Sequence, residues 1–249
     1  MPTNRSYADA CTIARALDVV GERWALLVVR ELLLGPQRFS DLRRSLSGAS
    51  SNLVTDRLRE LAARGVIRRR QLPPPAGSQV YELTEWGRGL EPIVLALGNW
   101  GGRIPLPPEP TTLSATSVLI FLRCVATLDP EAPTTTYRLE LDGPVWTLRT
   151  IAGQVRIEPG EPARPDASLR TDPRTLNALL ADPNGLDASV VDGTAVVDGD
   201  LSALRRLLRS ATGSGQAAAG SDQATAESDQ EQADGRTEGH DHALEHGGR

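Results

Sequence analysis

No lysine occurs anywhere in the chain: all 27 basic residues are arginine. Every cationic contact therefore comes from a planar guanidinium, which can bond a phosphate or a guanine edge bidentately. Cysteine is nearly absent as well. Cys11 and Cys124 are too few and too far apart in sequence to suggest a disulfide framework. The three histidines, His240, His242 and His246, all stand beyond residue 239. Everything before them lacks an imidazole for general-base, triad or metal chemistry.

Aromatic residues make up only 4% of the 249 positions, so the core must be built mostly from Leu, Val, Ala and Ile. No apolar run approaches the ~20 residues needed to cross a bilayer. The stretch MPTNRSYADACT lacks the apolar segment of a secretory signal, so a cytoplasmic protein without a membrane partner is expected. Neither paired carboxylates nor a Gly-rich phosphate loop is legible, and no enzyme, cofactor or metal is expected. His242 and His246 are one helical turn apart and could hold a metal weakly, but a solvated tail is the simpler reading.

What is present is unevenly charged. Residues 1–104 carry 15 arginines against 10 acids (+5), residues 105–210 carry 10 against 14 (−4), and residues 211–249 carry 2 against 8 (−6). A basic front half on an acidic chain points to an anionic partner for that half alone. Composition also divides the chain. Residues 8–102 alternate helical patterns with one hairpin, and the Pro-rich GRIPLPPEPTT spans the spacer 103–112. Residues 113–210 form a second periodic region, and the polar, acidic remainder (211–249) has the composition of a disordered tail.

The front segment reads as four helices, a hairpin and a last helix. ADACTIARALDVV sets Cys11, Ala14, Leu17 and Val20 at helical spacing, and ERWALLVVRELLLG is the central buried helix, stopped by Gly35 and Pro36. FSDLRRSL, with Ser40 as N-cap and Leu42 and Leu46 inward, is followed by the turn SGA and a helix capped by Ser50 and ended by Gly65. Short helix, glycine-containing turn, second helix is the helix-turn-helix layout. VIRRRQL and QVYELT around PPPAGS form a wing. TEWGRGLEPIVLALGNW, capped by Thr84, ends the segment with Leu90, Ile93, Val94, Leu97 and Trp100 on one face. So wide an apolar stripe calls for a partner surface, such as the same helix of a second copy.

SSNLVTDRLRELAARG has the two-sidedness of a recognition helix. Val54, Leu58 and Leu61 share one face with Leu53 at its margin, and Ser51, Asn52, Thr55 and Arg59 share the other. Small polar side chains at the amino end suit entry into a major groove. Asn52 matches an adenine edge, Arg59 a guanine, and the N-terminus at Ser50 a phosphate. Arg43 and Arg44 on the preceding helix are placed for backbone phosphates. Arg68, Arg69 and Arg70 run up the wing, where strand alternation puts Arg69 on the side opposite its neighbours. A membrane-surface helix is excluded by the missing arginine stripe. A plain core helix remains open on these patterns alone.

The run CTIARALDVVGERWALLVVRELLLGPQRFSDLRRSL, then LVTDRLRELAARGVIRRR and YELTEWGRGLEPIVLALGNW, resembles the HxlR-type winged helix-turn-helix regulators. Cys11, Gly21, Arg23, Trp24, Arg38, Phe39, Leu42, Arg43, Leu58, Leu61, Gly65, Arg69, Leu83, Thr84, Gly87 and Trp100 carry the likeness. The resemblance implies a homodimeric regulator of double-stranded DNA, paired through its first and last helices, with wings flanking a palindromic operator. The wing, with three prolines at its tip, is long for that family. Cys11 stands where some members carry a redox- or electrophile-sensing thiol, with Arg15 one turn on to favour a thiolate. The alternative for Cys11 is a small packed hydrophobe, which is also expected for Cys124.

The second region has a different grammar. TSVLIFLRCVATL is an apolar helix, and TYRLELDG, PVWTLRTIAG and QVRIEPGEP are three antiparallel strands joined at Asp142–Gly143 and Gly153. ASLRTD is a further strand, Asp172 caps PRTLNALLAD with Pro173 first, and GTAVVDGD and LSALRRLLRS close the unit. That order makes an α+β domain with helices on one face of a mixed sheet. On Gly143, Trp146, Gly153, Asp172, Leu176, Leu179, Leu180, Gly193, Val196, Gly199, Asp200 and Leu204 it resembles the sterol-carrier-protein domain, which implies an apolar small-molecule ligand. A filled core serving as a spacer is the alternative. The expected whole is a repressor responding to an apolar effector. Its competitor is a lipid or acyl carrier whose front domain serves for dimerisation.

Overall fold

The computed structural model describes residues 6–73, 77–102, 104 and 112–212. The tip of the hairpin, most of the Pro-rich spacer and the acidic tail with its histidines lie outside the described residues.

The N-terminal half runs α1 (Thr12–Val20), α2 (Ala25–Leu32), α3 (Phe39–Ser45), α4 (Ser51–Ala63), β1 (Ile67–Gln71), β2 (Gln79–Leu83), α5 (Glu85–Arg88) and α6 (Glu91–Gly101). Helix α2 is its centre, with Val28, Val29 and Leu32 buried. Leu42 and Leu46 of the α3 end, Val54, Leu58 and Leu61 of α4, and Leu83 of β2 belong to the same core. Trp24, in left-handed backbone, opens α2. A Cβ at Gly48 would meet the Trp24 ring at 2.9 Å, so a glycine lets the turn between α3 and α4 close beneath the indole. Strands β1 and β2 pair antiparallel from Ile67↔Leu83 to Gln71↔Gln79, and Gln37 adds a one-residue bridge to β2 by exchanging backbone bonds with Tyr81.

Two sequence expectations need correction here. Helix α3 starts after Arg38 rather than Ser40, which lies inside the first turn beside Asp41. The last helix is two helices. Thr84 does cap the first, its Oγ accepting from the Gly87 N–H at 3.0 Å, but that helix lasts one turn. Gly87 is pressed against the Val66 carbonyl, where a Cβ would lie 2.0 Å away, and α6 restarts with Pro92 in its first turn. A proline there needs no N–H partner and so marks a new helix start.

The C-terminal half runs α7 (Ala115–Val125), β3 (Thr135–Leu141), β4 (Val145–Ile151), β5 (Gln154–Pro159), β6 (Ala167–Thr171), α8 (Pro173–Ala181), α9 (Leu186–Val191), β7 (Val196–Gly199) and α10 (Leu201–Arg209). The five strands form one sheet in the order β5-β4-β3-β6-β7, mixed because β3 and β6 are parallel while the other pairs are antiparallel. The two tight turns place consecutive residues in the left-handed region, Asp142–Gly143 and Ala152–Gly153, as two-residue hairpins require. Alternation along β3 buries Thr135, Tyr137, Leu139 and Leu141. Helices α7, α8 and α10 supply Leu119, Leu122, Leu176, Leu179, Leu204 and Leu207 to the same core. The Asp172 carboxylate caps α8 through the Arg174 and Thr175 N–H groups, as the sequence suggests. Helix α9 and the 3-10 turn before it (Pro183–Gly185) have no counterpart in the sequence reading: six residues are too short to show a helical period.

The halves share one continuous apolar core. Glu31 of α2, 0% exposed, is bonded by the Arg30 guanidinium at 3.0 and 2.5 Å. It also accepts from the Ser114 hydroxyl, the N-cap of α7, at 2.8 Å. Arg123 of α7 pairs with Glu91 of α6 at 2.6 Å.

Candidate nucleic-acid interface

Helix α4 separates its faces cleanly. Ser50 caps it, its Oγ accepting from the Leu53 N–H at 3.2 Å. Val54, Leu58 and Leu61 are buried, and Leu53 is half-buried at the margin. Ser51, Asn52 and Arg59 are exposed on the other face. Thr55 is half-buried and donates to the Ser51 carbonyl at 2.8 Å. Among the described residues Arg59 is tied only to Asp56, at 3.6 Å, with both side chains mostly in solvent. Such a pair contributes little and leaves the guanidinium free to reorient.

Sequence reasoning missed two residues of this helix. Asp56 sits on the outward side, where it would repel phosphate or accept from a cytosine amino group. Arg57 is buried, paired with Glu60 and, at 3.8 Å, with Glu22. It fastens α4 to the loop before α2. The signal for Arg57 was its place on the helical wheel beside Val54, Leu58 and Leu61.

The arginines around α4 have distinct surroundings. The Arg43 guanidinium donates to the Ala49 carbonyl and so closes the turn between α3 and α4 from within. Arg44 is exposed, with a 3.5 Å pair to Asp41. On the wing, Arg68 and Arg70 converge on one carboxylate: their Nε atoms lie 2.7 and 2.8 Å from the two oxygens of Glu82. Burial would raise the Glu82 pKa, but the hydrogen bonds and charges of Arg68 and Arg70 outweigh it and hold the carboxyl below its ordinary value. Arg69 points to the opposite side, as the alternation requires. It donates twice to the Tyr81 hydroxyl, at 3.0 and 2.7 Å, and lies 5.1 Å from the ring centre.

The apolar stripe of α6 divides in two. Leu90 and Val94 turn inward against the core, while Ile93, Leu97 and Trp100 stand exposed, the last at 66%. Helix α1 is similarly bare, with Ile13 and Leu17 in solvent. Isolated apolar residues on a surface mean little, but a row of bulky side chains along one helix, as on α6, is an uncovered apolar face. Cys11, exposed at the start of α1, has its thiol pKa lowered by the backbone N–H groups of Ala14 and Ile13. Cys124 is half-buried, and burial raises its thiol pKa.

A trihelical core, a turn-linked pair of helices with a polar outward face on the second, and a β-wing define a winged helix-turn-helix. The family model described as HxlR-like helix-turn-helix matches residues 19–106. The chain is 38% identical to the HTH-type transcriptional regulator YybR of Bacillus subtilis over 96 residues, 37% of this chain and 74% of that one. To YvaP of the same organism, another HTH-type transcriptional regulator, it is 36% identical over 86 residues, 34% of this chain and 80% of that one. Among solved structures, the redox regulator HypR in its oxidized form is 34% identical, covering 39% of this chain and all of that one at a TM-score of 0.37. The putative transcription factor PA1607 is 36% identical, covering 43% and 73% at a TM-score of 0.37. The chain belongs to the HxlR-like helix-turn-helix family. Among the described residues no helix is long and apolar enough to cross a membrane, and no cluster of metal-ligating side chains occurs.

Proposed function

We propose that this chain is a DNA-binding transcriptional repressor that acts as a homodimer. Residues 8–102 serve DNA binding and pairing, and residues 113–210 form a sterol-carrier-like effector module. The reading rests above all on α4: Ser51, Asn52, Thr55 and Arg59 form a polar face on which Arg59 makes one loose ion pair among the described residues, on a helix whose other face is locked in the core. A helix so mounted presents donors and acceptors to base edges while the scaffold fixes its angle. Arg44, Ser50, Arg68, Arg69 and Arg70 surround it as phosphate contacts, and Arg43 acts chiefly by shaping the turn. Ile93, Leu97 and Trp100, with α1, form the dimer surface, and Leu90 and Val94 set its angle from beneath. Support for dimerisation is the uncovered apolar surface itself.

Binding to DNA from the protein's own promoter region, titrated with salt, tests the proposal. Specific binding with a steep negative salt slope is expected, together with a loss in Arg59→Ala. Equal, weak binding to every sequence would sink it. The carrier reading draws on a hollow of about 350 Å³ at the end of the sheet, between Leu128, Tyr137 and Leu207, with Arg206 and Arg209 beside it. Native mass spectrometry of the purified protein distinguishes the two readings. A stoichiometric acyl or sterol ligand without specific DNA binding favours the carrier.

A further inference from the structure

A larger hollow lies where the two halves meet. It is a cleft of about 500 Å³, within the range of small-molecule sites. One wall comes from the turn between α2 and α3 and from α3 itself, with Leu34, Pro36, Asp41 and Arg44. The facing wall comes from the β3–β4 turn, the end of β5 and the start of α8, including Pro144, Trp146, Pro159 and Arg174. Ser114 also lines it, and its hydroxyl, bonded to the buried Glu31, anchors that residue on α2. Its lining thus runs from Ser114, fastened to α2 through Glu31, to Arg44 of α3.

We infer that this cleft is the effector site and that its ligand is a small organic acid with an apolar, preferably aromatic, body. The inference rests on the DNA-binding reading of α3 and α4. Leucine, proline and indole surfaces suit the body. The exposed Arg44 guanidinium suits a carboxylate or sulfonate, because its fork geometry matches an oxyanion bidentately. Asp41 and Asp142 also line the cleft, so its charge is balanced and burial of the body supplies most of the affinity. Asp41 is already engaged by Arg44 and by the Ser40 hydroxyl in the first turn of α3. Arg44 decides the direction of coupling. An anion drawn onto its guanidinium competes with backbone phosphate for the same donors, so ligand and DNA weaken each other's binding equally. Among the described residues, the 350 Å³ hollow is lined by the C-terminal half, with none of its lining in α3 or α4.

The test uses 1-anilinonaphthalene-8-sulfonate, an aromatic anion whose fluorescence rises in an apolar site, on the full-length chain. Saturable binding is expected at one site per protomer, with affinity lowered about tenfold or more by Val145→Trp, which fills the cleft. Arg174→Glu, a surface change that spares the core, should weaken binding several-fold and covers the case that Val145→Trp does not fold. Saturating probe should lower affinity for the promoter DNA about tenfold in wild type, within the usual span of couplings, and much less in Val145→Trp. Probe binding unchanged in both variants would overturn the site, since the dye then sits elsewhere, as on the exposed apolar face of α6. Probe bound in the cleft with no change in DNA affinity would overturn the coupling. Absence of specific DNA binding by the untreated wild type counts against the regulator reading, while the fluorescence arm still decides the cleft.

Discussion

The recognition helix and the wing both carry arginine toward the outside, but under opposite constraints. Arg59 on α4 has one long contact to an exposed aspartate and can swing to a base edge at little cost. Arg68 and Arg70 on β1 are bonded to a carboxylate that is only 6% exposed, and Arg69 is stacked on Tyr81. A guanidinium already paired keeps some donors for phosphate, yet it cannot leave its partner without exposing the cost of an unpaired buried carboxylate. The wing is thus a stiff, partly neutralised arm that suits positioning, and α4 is a free surface that suits reading.

Four changes would break or sharpen that contrast. Arg59→Ala should have the largest effect on recognition, about 10–100-fold weaker binding to the specific site with relaxed preference at one base pair, the range for a lost bidentate contact. Competition binding against single-base operator variants checks it. Glu82→Ala should act on the fold. Removing the acceptor shared by Arg68 and Arg70 should cost on the order of 1–2 kcal/mol in urea unfolding, while non-specific DNA affinity rises as two arginines are released. If stability is unchanged, the wing is not held as described.

The third test is acid titration. The Glu82 pKa is depressed in the folded state, so its contribution is fully present above the ordinary carboxylate value and is lost as pH falls through the lower folded value. Asp172 behaves alike, because the Thr175 and Arg174 N–H groups and the Thr175 hydroxyl outweigh the burial that opposes its ionisation. Wild type should therefore lose stability more steeply on acidification than Glu82→Gln, followed by thermal melts from neutral pH downward. Arg70→Ala should give the smallest effect, a uniform loss of a few-fold across DNA sequences with a salt slope shallower by about one. A sequence-selective loss would instead make the wing a reader.

Legibility in the sequence followed the same division. The faces of α4 could be assigned because a 3.6-residue period fixes which side chains share a side, and the wing alternation because a strand has period two. Partners were not legible. Arg43 on Ala49 and Arg68 and Arg70 on Glu82 connect residues whose proximity depends on turns and register, and the triple arginine alone looks like free charge. The same limit applies to the single stripe expected along the last helix. Its residues do lie on adjacent rows, but only packing decides that Leu90 and Val94 go inward while Ile93, Leu97 and Trp100 stay out.

By itself, the sequence determined the order of most elements, the helix-turn-helix spacing, the tight turns at Asp142–Gly143 and Gly153, and the caps at Ser50, Thr84 and Asp172. These are local, set by dihedral preference and short-range hydrogen bonds. Tertiary structure alone decided that α7 docks on α2 through Ser114 and Glu31, that the two halves share a core, and that a cleft opens between α3 and the end of the sheet. Those features need contacts between residues about eighty or more positions apart, and no periodicity or composition carries that information.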